Sequence, residues 1–320
     1  MTAIQRPPRW CAARITAALA VGCTLGAALV YLRFRQDMAA HEQRIAAGSK
    51  VIDTPCGPIE YGERGAGRAI LAVHGAGGGY DQGLLLADSV GDGFRVIAPS
   101  RFGYLNTPLP PEDASVAAQA EAYVCLLDAL EVGRAAVLAD SAGGPSALAF
   151  AIRHPERVEA LILVSAISTL RPIRDDDSGP SAALMTDFIY WLAATYFPDA
   201  VLAALGAPVS ALPRLTPAEH ARMWEMVRTF QPMSRRLPGM NLDEVEQSRP
   251  EIEALPLETI TVPTLVIHAT DDALIPFAQG QHSAARIPGA RLVAFDYGGH
   301  LVVALEAVSR EILDFMAAAG

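Results

Sequence analysis

Along residues 50–165, short apolar runs alternate with longer stretches in which apolar residues recur at helical spacing. The runs at 51–54 and 59–63 flank the turn residues Pro55, Gly57 and Pro58 and read as a leading pair of strands. "AILAV" at 69–73, "FRVIA" at 94–98, and the runs at 135–139 and 160–165 are apolar almost throughout, as strands buried on both faces are. Between them, "SVAAQAEAYVCLLDALEVG" at 115–133 has a helical period and a glycine stop, and 144–153 predicts a second helix. Two more strands are expected at 264–268 and 291–295. The C-terminal "HLVVALEAVSREILDFMAAA", 300–319, predicts an amphipathic helix. The alternation implies a largely parallel sheet covered by helices on both faces. It breaks once. Residues 166–263 show helical patterns, such as "AALMTDFIYWLAATYF" and "PAEHARMWEMVRTF", without a convincing strand, and predict an inserted helical cap.

The N-terminus follows a different pattern. Residues 15–32, "ITAALAVGCTLGAALVYL", carry no charge. As a helix they would span about 27 Å, close to the hydrocarbon thickness of a bilayer. Arg6, Arg9 and Arg14 precede the span, Arg33 and Arg35 follow it, and Trp10 and Tyr31 lie near its ends. Span length favours an uncleaved membrane anchor. A cleaved signal peptide is the second reading, with Gly26-Ala27-Ala28 offering small residues for cleavage although apolar sequence continues beyond them. A lipoprotein signal at Cys23 is a weaker third. Positive residues on the two sides are nearly balanced once Arg44 and Lys50 are counted, so orientation is not decided. Gly22-xxx-Gly26 has helix-pairing spacing, but in so Ala- and Gly-rich a segment chance accounts for it. Residues 37–49 read as a polar helix or linker.

Composition narrows the partners. With 320 residues, 51% of them hydrophobic, the chain can bury a large core and is not a disordered one. Its net charge is −10; residues 1–37 hold five Arg and one Asp, so the body is acidic and argues against a nucleic-acid partner. Cys11, Cys23, Cys56 and Cys125 show no CxxC spacing, and free buried thiols are expected, with neither a disulfide framework nor a metal site. Seven His without HxxxH or HExxH spacing give no support to zinc.

Chemistry concentrates at "LADSAGGPSALAF", 138–150, where Asp140 and Ser141 are adjacent. In a sharp strand-to-helix turn carrying a nucleophile, the residues two before and two after it must be small. Centred on Ser141 those residues are Ala139 and Gly143; centred on Asp140 they would be Leu138 and Ala142. Ser141 is the better nucleophile, although a small-residue turn alone is common in an Ala-rich chain. A serine needs a base, and the base an orienting acid. His300, in "FDYGGHLVV", follows the last strand and two glycines, where it can hang over the sheet. "IHATDDALIP" offers Asp271 and Asp272 just past a strand, in the chain order Ser, Asp, His. One of that pair can face the imidazole, and the other faces solvent or caps the turn.

With "VHGAGGG", "SRFGYLNTP", "ADSAGGPSALAFAIRHPERV", "PTLVIHATDDALIP" and "YGGH", the chain resembles the α/β-hydrolase superfamily, within it the capped esterase, C–C hydrolase and cofactor-free haloperoxidase-like group, over about 50–166 and 258–320. The resemblance implies an α/β-hydrolase fold, a mostly parallel eight-stranded sheet with helices on both faces. It implies Asp272 as the acid, matching the last residue of a G-x-x-D segment, with Ala269 here for the Gly and Ala139 for the usual elbow Gly. The backbone N–H groups of Ala76 and Ala142 would form the oxyanion hole. His74, Gly75 and Gly77 would belong to the supporting loop, and that loop is not a phosphate loop because no GK[ST] follows it. Family members that use an Asp nucleophile place it in the Ser141 slot, so Asp140 has no assigned role.

The expected organisation is an anchor at 1–36, a linker at 37–49, hydrolase core at 50–166 and 258–320, and a helical cap at 167–257. The expected function is a membrane-anchored serine hydrolase that cleaves an ester or related acyl compound with Ser141, His300 and Asp272. It would need no cofactor or metal. Its partners would be a small apolar acyl substrate and the membrane. Phe188, Trp191, Tyr196, Phe197, Met223, Trp224 and Met226 of the cap are candidates for an acyl pocket or for the cap's own core. C–C bond hydrolysis or acyl transfer on the same residues, or a catalytically silent binding protein, are the alternatives.

Overall fold

The computed structural model describes residues 9–170, 185–207, 210, 212–247, 249–301 and 305–319. Residues 182–184 and 302–304, expected to be helical, and part of the expected 1–36 and 167–257 units lie outside the described residues. The chain divides into two compact units, Met1–Arg44 and Ile45–Gly320.

The first unit is carried by α1 (Arg9–Gly48), which runs without a break through the uncharged span and through the stretch expected as polar helix or linker. Leu19, Val21, Leu25 and Leu29 are exposed on it. By length and composition, it is long and apolar enough to cross a membrane.

The second unit opens with an antiparallel pair, β1 (Lys50–Thr54) and β2 (Gly57–Arg64). It continues through β3 (Arg68–Val73), α2 (Tyr80–Leu86), β4 (Phe94–Pro99), α3 (Val116–Ala129), β5 (Ala135–Asp140), α4 (Gly144–Arg153) and β6 (Val158–Val164). The insertion, without a strand among its described residues, holds α5 (Asp187–Tyr196), α6 (Pro198–Ala204), α7 (Pro217–Thr229), α8 (Leu237–Gln247) and α9 (Pro250–Glu253). The chain then returns to the sheet with β7 (Thr264–Ala269), α10 (Ala278–Arg286), β8 (Arg291–Phe295) and α11 (Leu305–Ala319). The eight strands lie in the order β1-β2-β4-β3-β5-β6-β7-β8. β2 joins β4 antiparallel, and every later pairing is parallel.

Two-residue periodicity along buried strands builds two cores, one on each face of the sheet. Leu71 and Val73 of β3 pack with Leu126 of α3 and Phe150 of α4 on one face. Ile70 and Ala72 pack with Leu138, Ile162 and Ile312 of α11 on the other. Helix starts are set locally. Ser115 caps α3 by accepting the Ala118 N–H, and Thr216 and Glu219 form a reciprocal capping box at α7, with Pro217 in its first turn. Register aligns Val73 with Ala139 and Asp140 with Val164, so the C-terminal ends of β3, β5 and β6 share one edge of the sheet. Ligand-binding groups of open parallel sheets gather at that edge.

Two expectations are corrected. Cys56 and Cys125 are not free thiols; they form a disulfide across 69 residues, with Cα atoms 6.1 Å apart. Local spacing could not reveal it, because the pair depends on the β1–β2 turn packing against α3. Cys23 is free but exposed on α1, and the Cys11 side chain lies outside the described residues. His300 does not begin the last helix: it lies in a turn after β8, and α11 is described over Leu305–Ala319.

Candidate active site

β5 ends at Asp140, in an extended conformation (φ −120°, ψ 138°), and the chain turns through 141–143 directly into α4. Ser141 has φ +49°, a left-handed conformation that costs a non-glycine residue on the order of 1–3 kcal/mol and persists because the strand and helix on either side fix it. The turn packs against the end of β3. A Cβ at Gly143 would stand 2.7 Å from the His74 carbonyl oxygen, so that position admits only glycine, and Ala139 on the other flank is fully buried.

Three side chains from separate loops meet here. Ser141 Oγ and His300 Nε2 are 3.0 Å apart, and His300 Nδ1 lies 2.9 Å from Asp272 Oδ2. Asp272 comes from the loop after β7. Its Oδ1 accepts the N–H groups of Leu274 and Ile275 at 2.9 and 2.8 Å. His268 Nε2, in β7, lies 3.3 Å from Asp272 Oδ2 and 2.9 Å from the Ile275 carbonyl. Burial pushes the Asp272 carboxyl up, but hydrogen bonds from His268 and His300, the His300 charge and the Ile275 N–H outweigh it and hold the group well below the usual carboxylate range. Asp271 takes a different position. It accepts the Gly299 and Gly298 N–H groups at 2.8 and 3.3 Å and so caps the turn that presents His300.

The loop after β3 forms the facing wall. His74 is fully buried, with Nδ1 donating to the Gly75 carbonyl at 2.7 Å and Nε2 accepting the Arg101 N–H at 3.0 Å. Both nitrogens are engaged, and burial followed by the Arg101 charge lowers its pKa well below the usual histidine value. His74 therefore organises the loop and has no free nitrogen for proton transfer. Arg101 extends the arrangement, donating to the carbonyls of His74 and Gly75 at 3.0 and 3.2 Å and forming a two-pronged ion pair with Asp243 of α8 at 2.6 and 2.7 Å. Tyr104 donates to Asp243 at 2.5 Å and accepts the Gly77 N–H at 3.3 Å. Gly77 (φ +71°) leaves room for the Phe230 ring, which a Cβ would strike. Arg101, Tyr104 and Asp243 were not identified from the sequence. "SRFGY" places the first two in a loop, but no local pattern connects it to an acid 142 residues away.

Beside Ser141 lies a cavity of about 230 Å³, to whose wall Ala76, Ala142 and His300 contribute. Its remaining lining is mostly apolar, with Leu205, Met226, Phe230 and Met240 from the insertion. Of the seven cap residues singled out in the sequence, Met226 alone is on this wall. Trp191 and Met223 are buried elsewhere in the insertion, and Tyr196 and Phe197 are exposed. An Oγ within hydrogen-bonding distance of an imidazole, itself held by a buried carboxylate, has the geometry for proton removal and attack on a bound carbonyl. Among the described residues, no group of three or more His, Cys, Asp or Glu is placed to hold a metal ion.

A family model of the α/β hydrolase fold matches residues 68–307. The chain is 32% identical to a 2-hydroxymuconate semialdehyde hydrolase of Pseudomonas putida over 249 residues, 74% of this chain and 82% of that protein. It is 29% identical to the uncharacterised hydrolase YcgS of Bacillus subtilis (strain 168), over 77% of this chain and 89% of that one. Among solved structures, an α/β hydrolase fold protein from Nakamurella multipartita superposes with a TM-score of 0.74 at 31% identity, over 85% of this chain and all of that one. The chain belongs to the α/β-hydrolase fold family.

Proposed function

We propose that this enzyme is a serine hydrolase acting on a carboxylic ester or related acyl compound. The observation that carries the reading is the hydrogen-bonded series Ser141–His300–Asp272 on the wall of an apolar cavity. His300 Nε2 takes the Ser141 hydroxyl proton as Oγ bonds to the substrate carbonyl carbon. Asp272 holds Nδ1–H and stabilises the imidazolium. The Ala76 and Ala142 N–H groups hold the oxyanion. Collapse breaks the bond to the leaving alcohol, which receives the proton from His300. Water then gives a proton to His300 as its oxygen bonds to the acyl carbon, and collapse breaks the bond to Ser141 Oγ, which takes that proton back from His300, releasing the acid. The insertion, 167–257, acts as a cap that walls the cavity from water.

Labelling by a fluorophosphonate, together with turnover across a series of acyl chain lengths, tests the reading. Covalent labelling of Ser141 and turnover that rises with chain length support it. No labelling and no turnover would leave a binding protein on a hydrolase fold. A second reading, hydrolysis of a C–C bond on the same three residues, is favoured by the 32% identity to the 2-hydroxymuconate semialdehyde hydrolase. Turnover of 2-hydroxymuconate semialdehyde with no ester turnover would select it.

α1 anchors the protein in a membrane in this reading, and the Cys56–Cys125 disulfide supports placing the hydrolase domain on the oxidising side. Retention in the membrane pellet through high-salt and carbonate washes, with Cys56 and Cys125 blocked to alkylation until a reductant is added, is the expected result. A mature N-terminus near residue 29 in the native host would replace the anchor with a cleaved signal peptide.

A further inference from the structure

The cavity beside Ser141 is lined mostly by apolar residues. Of its polar side chains other than Ser141 and His300, Gln82 is engaged, its Oε1 accepting the Gly75 N–H at 2.9 Å. The other is Asp140. No hydrogen bond or ion pair to its carboxylate is found among the described residues. Burial of the group, opposed by the attraction of His300 and Arg222, raises its pKa to about 6. It lines both the main cavity and a smaller recess of about 30 Å³ whose other residues include Ser89, Arg222 and Met226.

Arg222 of α7 supplies the second group. Its guanidinium donates from Nη2 to the Leu85 carbonyl at 3.0 Å, but its Nε is buried without a partner. Asp88 and then Asp140 attract it electrostatically, yet among the described residues no ion pair joins it to Asp140. An unpaired buried donor is destabilising, the more so when charged, and the recess brings such a donor together with an acceptor that has no partner among the described residues. A space of 30 Å³ accommodates one small polar group. The partner that satisfies both groups at once is a hydroxyl, donating to Asp140 and accepting from Arg222 Nε. An ammonium would oppose Arg222, and a carboxylate would oppose Asp140.

We propose that Asp140 and Arg222 form a hydroxyl-binding subsite of the substrate cavity, so that the preferred substrates are hydroxylated acyl compounds rather than purely apolar ones. The proposal rests on the serine hydrolase reading. It gives Asp140, adjacent to the nucleophile, a role in choosing the substrate and none in the proton transfers. A hydrogen bond to a charged group in a desolvated recess is worth about ten- to hundredfold in kcat/KM.

The test uses the full-length enzyme in detergent micelles and two matched pairs of esters. One pair carries the hydroxyl on the acyl side, p-nitrophenyl 3-hydroxybutyrate against p-nitrophenyl butyrate. The other carries it on the alcohol side, 2-hydroxyethyl butyrate against propyl butyrate. The wild-type enzyme is expected to favour the hydroxylated member of at least one pair by tenfold or more in kcat/KM. Asp140→Ala and Arg222→Met should each bring that ratio to about one. Asp140→Asn keeps the volume and a neutral acceptor and should give an intermediate ratio, which serves if either larger change prevents folding. Hydrolysis of all four esters with ratios near one, or a preference that survives Asp140→Ala, overturns the subsite while leaving the hydrolase reading intact. Absence of turnover on every ester together with failure of a fluorophosphonate to label Ser141 overturns both.

Discussion

Two carboxylates flank the Ser141–His300 pair, and the backbone around each gives it an opposite character. Asp272 sits in the loop after β7, where two N–H groups and two imidazoles converge on its oxygens. Asp140 ends β5, just before the strained turn, and no donor reaches it among the described residues. Burial penalises both charges. At Asp272 hydrogen bonding outweighs it and the pKa falls; at Asp140 burial prevails and the pKa rises to about 6. The lesson is that proximity to a histidine does not make an acid its partner. The loop that supplies the donors decides which acid stays charged and oriented.

The strongest challenge to this division is removal of the groups it serves. Ser141→Ala and His300→Ala should each lower ester turnover by about 10⁴–10⁶-fold with the fold retained, as judged by circular dichroism and steady-state kinetics. Near-normal rates in Ser141→Ala, with activity lost in Asp140→Asn, would make Asp140 the nucleophile. The next test compares the acids directly. Asp272→Asn should cost about 10³–10⁴-fold in kcat, because the imidazole loses its orienting charge and its tautomer. Asp140→Asn should cost less than about tenfold on a short unsubstituted ester, since it leaves the His300–Asp272 contact in place. Equal losses would erase the distinction drawn here.

Much of this region was legible in the sequence. The inner strands β3–β7 were readable from short apolar runs because parallel strands buried on both faces must be largely apolar, and the leading antiparallel pair from the turn residues between its two runs. The elbow was readable because close packing forces small residues around Ser141, and His300 because chain order and two glycines put it past the last strand. What was not legible depends on contacts between distant segments. Asp243 lies in a helix of the insertion, yet it holds Arg101 and, through it, the loop after β3. The disulfide joins residues 69 apart. Arg222 faces the recess because of how α7 packs, and its surroundings in sequence, "AEHARMWEM", look like any amphipathic helix. The aromatic residues of the cap left two readings open for a related reason: helical periodicity shows that a face is buried but not whether it packs on a ligand cavity or on another helix.

The opposite pKa shifts also predict opposite pH dependences of stability. For Asp140, the folded protein holds a proton up to about pH 6, whereas the unfolded chain releases it near 3.8. The folded state therefore binds more protons between these values, and this group's contribution to stability falls as pH rises through that window. For Asp272 the folded pKa lies below 3.8, so its contribution is present above that value and is lost as pH falls through the folded pKa. In urea unfolding of residues 37–320, Asp140→Asn should gain about 2 kcal/mol relative to wild type on going from pH 4.5 to pH 7.5. Asp272→Asn should show its full deficit at pH 7.5 and a smaller one below pH 3. A pH-independent difference for Asp140→Asn would mean that its carboxyl is solvated and ordinary.

The smallest expected effect separates Asp272 from its immediate neighbour. Asp271 shares the loop but turns the other way, accepting the N–H groups of Gly299 and Gly298. Its contribution is to the turn that carries His300, and among the described residues its carboxylate makes no hydrogen bond or ion pair with the imidazole. Asn at this position retains one acceptor oxygen, so the Gly299 bond can persist while the charge is lost. Asp271→Asn should therefore cost about 1 kcal/mol of stability, the worth of a weakened hydrogen bond, and less than about tenfold in kcat, with the pH–rate profile unmoved. Asp271→Ala leaves both N–H groups without this acceptor and should lower kcat further, by loosening the His300 turn and again without moving the profile. Equal losses in Asp271→Asn and Asp272→Asn, or a shifted profile in the first, would transfer the orienting role by one residue and remove the basis for contrasting Asp272 with Asp140.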